Sequence, residues 1–91
     1  MKLDHLRYFD RLADVLSYTN AAKSLYIAQP TLSAAIKRME QEVGLTLFRR
    51  AEGVASGVEL TEQGRIFHEY VVQALECYDT GLSLALESQN E

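Results

Sequence analysis

The 91-residue chain has one cysteine, one proline and no tryptophan. The single cysteine, Cys77, excludes a disulfide within the chain and a cysteine-rich zinc site. His5 and His68 are far apart and have no cysteine or acidic cluster at ligand spacing, so we expect both to be structural or solvated. No apolar run approaches the length of a membrane span, and the charged beginning MKLDHLRYFD is unlike a signal peptide. These absences favour a cytoplasmic protein without a structural metal.

Patterns typical of enzymes are also missing. No nucleophile, base and orienting group stand at a recognisable spacing, and no glycine-rich loop could cradle a phosphate. The length suffices for one small domain, or for one domain with an appended helix. Since 47% of the residues are apolar, a compact core can form without disulfides. The sequence therefore predicts a binding module and not an enzyme.

The net charge of −4 is distributed unevenly along the chain. Residues 1–58 contain eight basic and six acidic residues, which gives this part a net charge of +2. Residues 59–91 contain one basic and seven acidic residues, which gives a net charge of −6. A nucleic acid requires a local basic surface rather than a basic protein, so the first part remains compatible with DNA.

The first part of the chain predicts two helices. Apolar residues recur every three or four positions over residues 3–16, which indicates an amphipathic helix. The stretch SYTN interrupts this pattern, and either Ser17 or Thr19 could cap a second helix at about residues 19–25.

A third helix is predicted over residues 30–43. Pro30 suits its first position, because the fixed φ of proline fits a helix and no hydrogen-bond donor is lost there. Its inward stripe consists of Leu32, Ile36, Met39 and Val43. Gly44 would end the helix.

The pattern then changes to two short extended segments, LTLFRR and VELT, separated by the small-residue loop AEGVASG. This order predicts a β-hairpin, or wing. Thr61 would cap a final helix that could reach residue 88 and would be about 40 Å long. A core of this size could cover only the beginning of such a helix.

The second and third helices, joined by a tight turn, predict a helix-turn-helix. This packing leaves Thr31, Ser33, Ala34, Lys37 and Arg38 on the outside of the third helix. One interpretation is a face that reads DNA, with the basic residues on phosphates. The alternative from pattern alone is a three-helix bundle whose charged face is merely solvated.

Three groups of residues carry a resemblance to a known family: AKSLYIAQPTLSAAIKRME at 22–40, GLTLFRR at 44–50 and LTEQG at 60–64. In this order they resemble the N-terminal region of LysR-type transcriptional regulators. The resemblance implies a mainly α fold, with a winged helix-turn-helix in residues 1–60 and a linker and dimerisation helix in residues 61–91. It also implies an effector-binding domain outside these 91 residues, so we expect the chain to be part of a longer regulator.

The resemblance also implies the partner and the site residues. The partner is double-stranded DNA, and no cofactor is expected in this chain, because a small-molecule effector would bind the absent domain. The start of the third helix is expected to contact bases in the major groove, and the start of the second helix is expected to contact phosphate. The predicted DNA-binding residues are Thr19, Asn20, Gln29, Pro30, Thr31, Ser33, Lys37, Arg38 and Arg50.

Three features depart from the family pattern. Ala28 stands where serine is common, which removes a helix cap. Ala34 stands where arginine is frequent, which removes a candidate reader of guanine. The loop at 51–57 is longer than usual and lacks the arginine often found at the wing tip.

The last helix is predicted to pair with its copy in a homodimer, with a tetramer as a further state of the full-length protein. A lone helix would expose a broad apolar stripe, and such patches usually mark an interface. The predicted dimerisation residues are Ile66, Tyr70, Leu75, Tyr78, Leu82 and Leu86. Two rivals remain: a winged helix that binds protein, and a MarR-like dimer that arranges its dimer helices differently.

Overall fold

The structure is a computed structural model that describes residues 1–89. Within this range the chain forms four helices and one antiparallel pair of strands. In chain order these are α1 (Leu3–Val15), α2 (Tyr18–Leu25), α3 (Gln29–Val43), β1 (Phe48–Arg50), β2 (Val58–Leu60) and α4 (Glu62–Gln89).

The connection between α1 and α2 is short because both helices are capped locally. Leu16 adopts the left-handed conformation with φ 59° and ends α1. The Ser17 hydroxyl then accepts a hydrogen bond from the Asn20 N–H at 3.2 Å. Of the two predicted caps, Ser17 is therefore the one that begins α2, and Thr19 lies inside the helix.

Helix α3 begins one residue earlier than predicted, with Pro30 as its second residue. The residue before it, Ala28, makes no side-chain cap hydrogen bond, as its lack of a hydroxyl predicted. Gly44 ends the helix with φ 72°, a conformation that glycine adopts without strain. The prediction that Val43 faces the core is wrong: it is 37% exposed, because the last turn of α3 extends beyond the packed residues.

One hydrophobic core joins the helices to the wing. Phe9 of α1 is fully buried, and its ring centroid lies 5.4 Å from those of both Phe48 in β1 and Phe67 in α4. The largest fully buried side chains are Phe9, Leu12, Leu32, Ile36, Met39 and Leu47. The predicted winged helix-turn-helix is thus a single packed unit to which the first turns of α4 belong.

The wing is fixed at both ends. Strands β1 and β2 pair with Phe48 opposite Leu60 and Arg50 opposite Val58. At the other end, the Tyr18 N–H donates to the Ser56 carbonyl at 3.0 Å, which ties the wing loop to the start of α2. The strands are shorter than the two extended segments predicted, with three residues each.

As predicted, Thr61 caps α4: its hydroxyl accepts a hydrogen bond from the Gly64 N–H at 3.0 Å and donates one to the Thr46 carbonyl at 2.6 Å. Gly64 packs so closely on the residue before β1 that a Cβ there would overlap the Leu47 carbonyl oxygen. The helix then continues past the core, which makes the molecule 54 Å long. Among the described helices none combines the length and the apolar character that a membrane crossing requires.

Candidate nucleic-acid interface

Helix α3 has one buried and one exposed face. Leu32, Ala35, Ile36 and Met39 are buried and hold the helix against α1 and α2. The predicted reading residues lie on the other side: all are exposed except Ser33, which is half-buried. These residues are Gln29, Pro30, Thr31, Ser33, Lys37 and Arg38.

A groove of about 1110 Å³ runs between the start of α1 and the outer face of α3. It brings together four of the predicted residues with side chains from the first turns of α1. Its walls include Pro30, Thr31, Lys37 and Arg38 from α3, and Lys2, His5 and Tyr8 from the α1 side, together with the acids Asp4 and Glu42. Sequence reasoning missed the α1 wall, because no periodicity within one helix reveals which other helix lies beside it.

The two basic residues of α3 differ in their surroundings. Arg38 forms an ion pair with Glu42 at 3.4 Å, and Glu42 also contacts the N-terminal ammonium at 3.1 Å. The hydrogen bond from this ammonium, with a smaller contribution from Arg38, holds the pKa of the Glu42 carboxyl below its usual value. Within residues 1–89, Lys37 has no carboxylate within 4.0 Å, so its ammonium is available to an external anion.

A similar difference separates the two arginines of β1. The Arg49 guanidinium is paired across the hairpin with Glu59 at 2.7 Å. Arg50, the predicted DNA-binding residue, is exposed and has no carboxylate within 4.0 Å in the described part of the chain. Of the two side chains, Arg50 is therefore the one that is free for a phosphate.

The start of α2 places Thr19 and Asn20 at the same end of the molecule as the wing loop. Asn20 is exposed and Thr19 is half-buried. The backbone N–H of Asn20 donates to the Ser17 hydroxyl, which leaves its side chain for other contacts. These positions leave the two side chains accessible to a ligand at the first turn of α2.

Apart from Asp4 and Glu42 in the groove, acidic residues are absent from the segment that forms this surface. No aspartate or glutamate occurs from residue 15 to residue 39, which covers α2 and eleven of the fifteen residues of α3. The next acid, Glu40, is turned inward and accepts hydrogen bonds from the Leu47 N–H at 2.7 Å and the Phe48 N–H at 3.3 Å. The half-buried Tyr18 lies nearby, where burial and the Glu40 charge both raise the pKa of its phenol. The Glu40 carboxylate therefore links α3 to the wing and does not point to the exposed face of α3.

The two histidines are placed differently. His68 on α4 contacts the Asp10 carboxylate through Nε2 at 2.8 Å and packs edge-on against Phe9, which is a link between α1 and α4. The Nδ1 of His5 is buried without a hydrogen-bond partner among residues 1–89, beside Tyr8 in the groove. In the described part of the chain no three histidine, cysteine or acidic side chains converge as metal ligands.

A second exposed surface runs along α4. Five of the predicted dimerisation residues are 46–62% exposed: Ile66, Tyr70, Tyr78, Leu82 and Leu86. The prediction that Leu75 needs a partner chain is wrong, because it is 5% exposed and packs in the core of its own chain. Leu84, which the sequence analysis missed, is 59% exposed. The described chain leaves these side chains uncovered.

The junction between the covered and uncovered parts of α4 is held by α1. The Arg7 guanidinium donates to Asp79 at 2.9 Å and lies 5.9 Å from the centroid of the Tyr78 ring. Its hydrogen bond to Asp79 holds the pKa of that carboxyl below its usual value. The two side chains are partly exposed, so this is a surface contact between α1 and α4 beyond the buried residues.

The fold and its exposed helix define a winged helix-turn-helix domain with an appended helix. Residues 3–65 match the family model described as bacterial regulatory helix-turn-helix protein, lysR family. The chain belongs to this family.

Relatives extend the match along nearly the whole chain. The transcriptional regulator BudR of Klebsiella aerogenes is 48% identical over 85 residues, which is 93% of this chain and 57% of that protein. BudR of Raoultella terrigena is 44% identical over 82 residues, which is 90% of this chain but only 27% of the relative. The chain therefore spans between about a quarter and just over half of these relatives.

Solved structures share the architecture, including the long helix. The BenM DNA-binding domain in complex with catB site 1 DNA superposes with a TM-score of 0.93 at 35% identity and covers all of this chain and 99% of that one. The CbnR DNA-binding domain in a DNA complex gives 0.87 at 27% identity, covering 97% and 98%. The predicted family and fold class are confirmed.

Proposed function

We propose that this chain binds double-stranded DNA with sequence specificity and serves as the DNA-binding part of a LysR-type transcriptional regulator. The observation that carries the proposal is the outer face of α3. It presents an amide, hydroxyls and the unpaired Lys37, while Glu40 is bonded inward to the Leu47 and Phe48 N–H groups and Glu42 is paired with Arg38. An α-helix fits the major groove, where amide and hydroxyl groups can bond to base edges and ammonium groups to phosphates.

We further propose that the DNA-binding unit is a homodimer formed through α4. The exposed stripe made by Ile66, Tyr70, Tyr78, Leu82 and Leu86 supports this, because one chain leaves it in water. A two-fold pair would place two copies of α3 on one side of a duplex at a fixed separation. Leu84 adds apolar area to this surface, and Leu75 does not belong to it.

The role of the whole protein follows from the same proposal. We infer that the chain acts by binding and not by catalysis, in the cytoplasm, where bacterial DNA is found. Since it spans 27% of a relative such as BudR of Raoultella terrigena, we propose that a separate domain senses a small-molecule effector. Assembly into a tetramer would then involve that domain.

Selection of duplexes from a random pool by the purified chain tests the proposal. We expect a recurring site with two related halves, bound about 10³-fold or more tightly than random DNA of equal length at physiological salt. Affinity for both DNAs should fall steeply as salt rises, because phosphate contacts release counterions. Failure to enrich any site, together with a flat salt dependence, would favour the rival interpretation of a winged helix that binds protein.

A further inference from the structure

A second line of residues, half-buried at Thr19 and exposed at Lys23 and Tyr26, extends from the start of α2 towards α3. Thr19 and Lys23 are four residues apart on α2, so they lie on the same side of the helix, and Tyr26 follows three residues later. Lys23 is exposed and has no carboxylate within 4.0 Å among residues 1–89. All three residues lie in the acid-free segment between residues 15 and 39.

Tyr26 occupies an unusual conformation for its residue type. It ends α2 in the left-handed region, with φ 59° and ψ 39°, where a bulky side chain is strained and glycine or asparagine is preferred. Backbone hydrogen bonds that end α2 offset this strain, since the Tyr26 N–H donates to the Lys23 carbonyl at 3.1 Å and the Ile27 N–H donates to the Ala22 carbonyl at 3.1 Å. The ring contributes little to the fold, because Tyr26 is 95% exposed. Only two residues separate it from Gln29, the first residue of α3.

Leu16 shows how the same conformation is used elsewhere in the chain. It also has φ 59°, at the end of α1, but its carbonyl accepts the Val58 N–H at 3.1 Å. The side chain of Leu16 is 40% exposed, so more than half of it is covered. Tyr26 differs from Leu16 in that its ring is almost entirely exposed to solvent in the described chain.

We propose that Lys23 and Tyr26 form a second DNA contact, in which the outer side of α2 binds the phosphodiester backbone beside the groove that α3 enters. The Lys23 ammonium would bind one phosphate, and the Tyr26 hydroxyl would donate a hydrogen bond to a neighbouring phosphate, a contact that tyrosine makes in other DNA complexes. The proposal rests on the proposed function, since it requires α3 to be on the DNA. It adds two residues to the predicted interface and extends it from the first turn of α2 to its last.

Lys23→Ala tests the electrostatic part, with Arg11→Ala as the matched control. Arg11 is an exposed base on α1 without a carboxylate within 4.0 Å in the described chain, so both variants lose one charge. We expect Lys23→Ala to weaken binding to selected and random DNA equally and to lower the salt slope by about 0.9 per protomer, or about 1.8 per dimer. The loss in affinity should then shrink about 12-fold between 50 and 200 mM salt for a dimer. Arg11→Ala should leave the slope unchanged.

Tyr26→Asn separates folding from binding. Asparagine tolerates the left-handed conformation, so we expect the midpoint of thermal unfolding to rise by roughly a few degrees. The affinity of this variant for DNA should nevertheless fall by at least a few-fold. The affinity of Tyr26→Phe should fall similarly, because this variant lacks only the hydroxyl that would bond to phosphate. A slope for Lys23→Ala equal to that of Arg11→Ala, or full affinity in Tyr26→Asn, would overturn the proposal. If Lys37→Ala also binds DNA normally, then the proposed function of α3 has failed as well. Loss of binding in Lys37→Ala alone would leave that function intact and reject only the contact by α2.

Discussion

Replacing Gly64 with alanine should destabilise the domain strongly, although the substitution favours the helical conformation itself. Gly64 lies in the first turn of α4, where an added Cβ would overlap the Leu47 carbonyl oxygen and approach the Leu60 side chain at 3.1 Å. The carbonyl cannot easily move away. It accepts the Thr61 N–H at 3.0 Å, and the Leu47 N–H is bonded to Glu40 at 2.7 Å.

The expected magnitude follows from two opposing effects. Overpacking against fixed backbone typically costs about 1–3 kcal/mol, and this site should lie at the upper end because the neighbour is backbone and not a flexible side chain. Greater helix propensity returns at most about 1 kcal/mol. A net loss of about 2 kcal/mol would lower the unfolding midpoint by roughly 8–16 °C in a domain of this size.

Gly81→Ala is the matched control for this prediction. Gly81 is in the same helix, and a Cβ there would meet no atom of the described chain within 4 Å. Alanine should therefore stabilise the chain by roughly 0.5–1 kcal/mol, unless the proposed partner helix packs on this position. Both variants should be followed by circular dichroism during urea and thermal unfolding, at one protein concentration. Wild-type stability in Gly64→Ala would refute the packing argument for the junction between wing and helix.

Three other results would test separate parts of the structure. Arg50→Ala should lower the salt slope of DNA binding by about 0.9 per protomer, whereas Arg49→Ala, which loses a paired charge, should change it less. Leu82→Glu combined with Leu86→Glu should shift the sedimenting species from dimer to monomer and weaken operator binding while helix content is kept; a monomeric wild type at roughly 50 μM would contradict the α4 dimer. Asp79 has a folded pKa below its usual 3.8, so its ion pair stabilises the protein above pH 3.8 and loses this contribution as pH falls through the folded pKa. Asp79→Asn should therefore reduce the drop in unfolding midpoint between pH 7 and pH 3, and an unchanged drop would show that the pair has no effect on stability.

The sequence was sufficient to predict every helix within about one residue at each end. Local signals account for this success, because Ser17, Gly44 and Thr61 act at the ends of helices where their side chains or φ values are required. The sequence predicted that the wing is a hairpin, but it did not predict that Glu40 anchors it. A glutamate in an exposed-looking helix position gives no sign that its carboxylate accepts hydrogen bonds from Leu47 and Phe48, where the wing begins.

Burial in the second half of the chain was predicted less well. Leu75 and Leu82 both fit the apolar stripe of α4, and only the position of α1 decides that the first is covered and the second exposed. The same limitation applies to the DNA interface. Periodicity identified the outer face of α3, but Lys23 and Tyr26 stand out only through their exposure and the left-handed conformation of the tyrosine.

The central claim is that residues at the start of α3 read sequence, and the ratio of affinities for a selected operator and random DNA tests it most directly. Gln29→Ala and Ser33→Ala should each reduce this ratio by about 5–150-fold, which corresponds to the 1–3 kcal/mol of a lost base contact. Gln41→Ala, on the same exposed face of α3 but three turns from its start, should leave the ratio unchanged. Equal losses on both DNAs in the Gln29 and Ser33 variants would contradict sequence reading by α3.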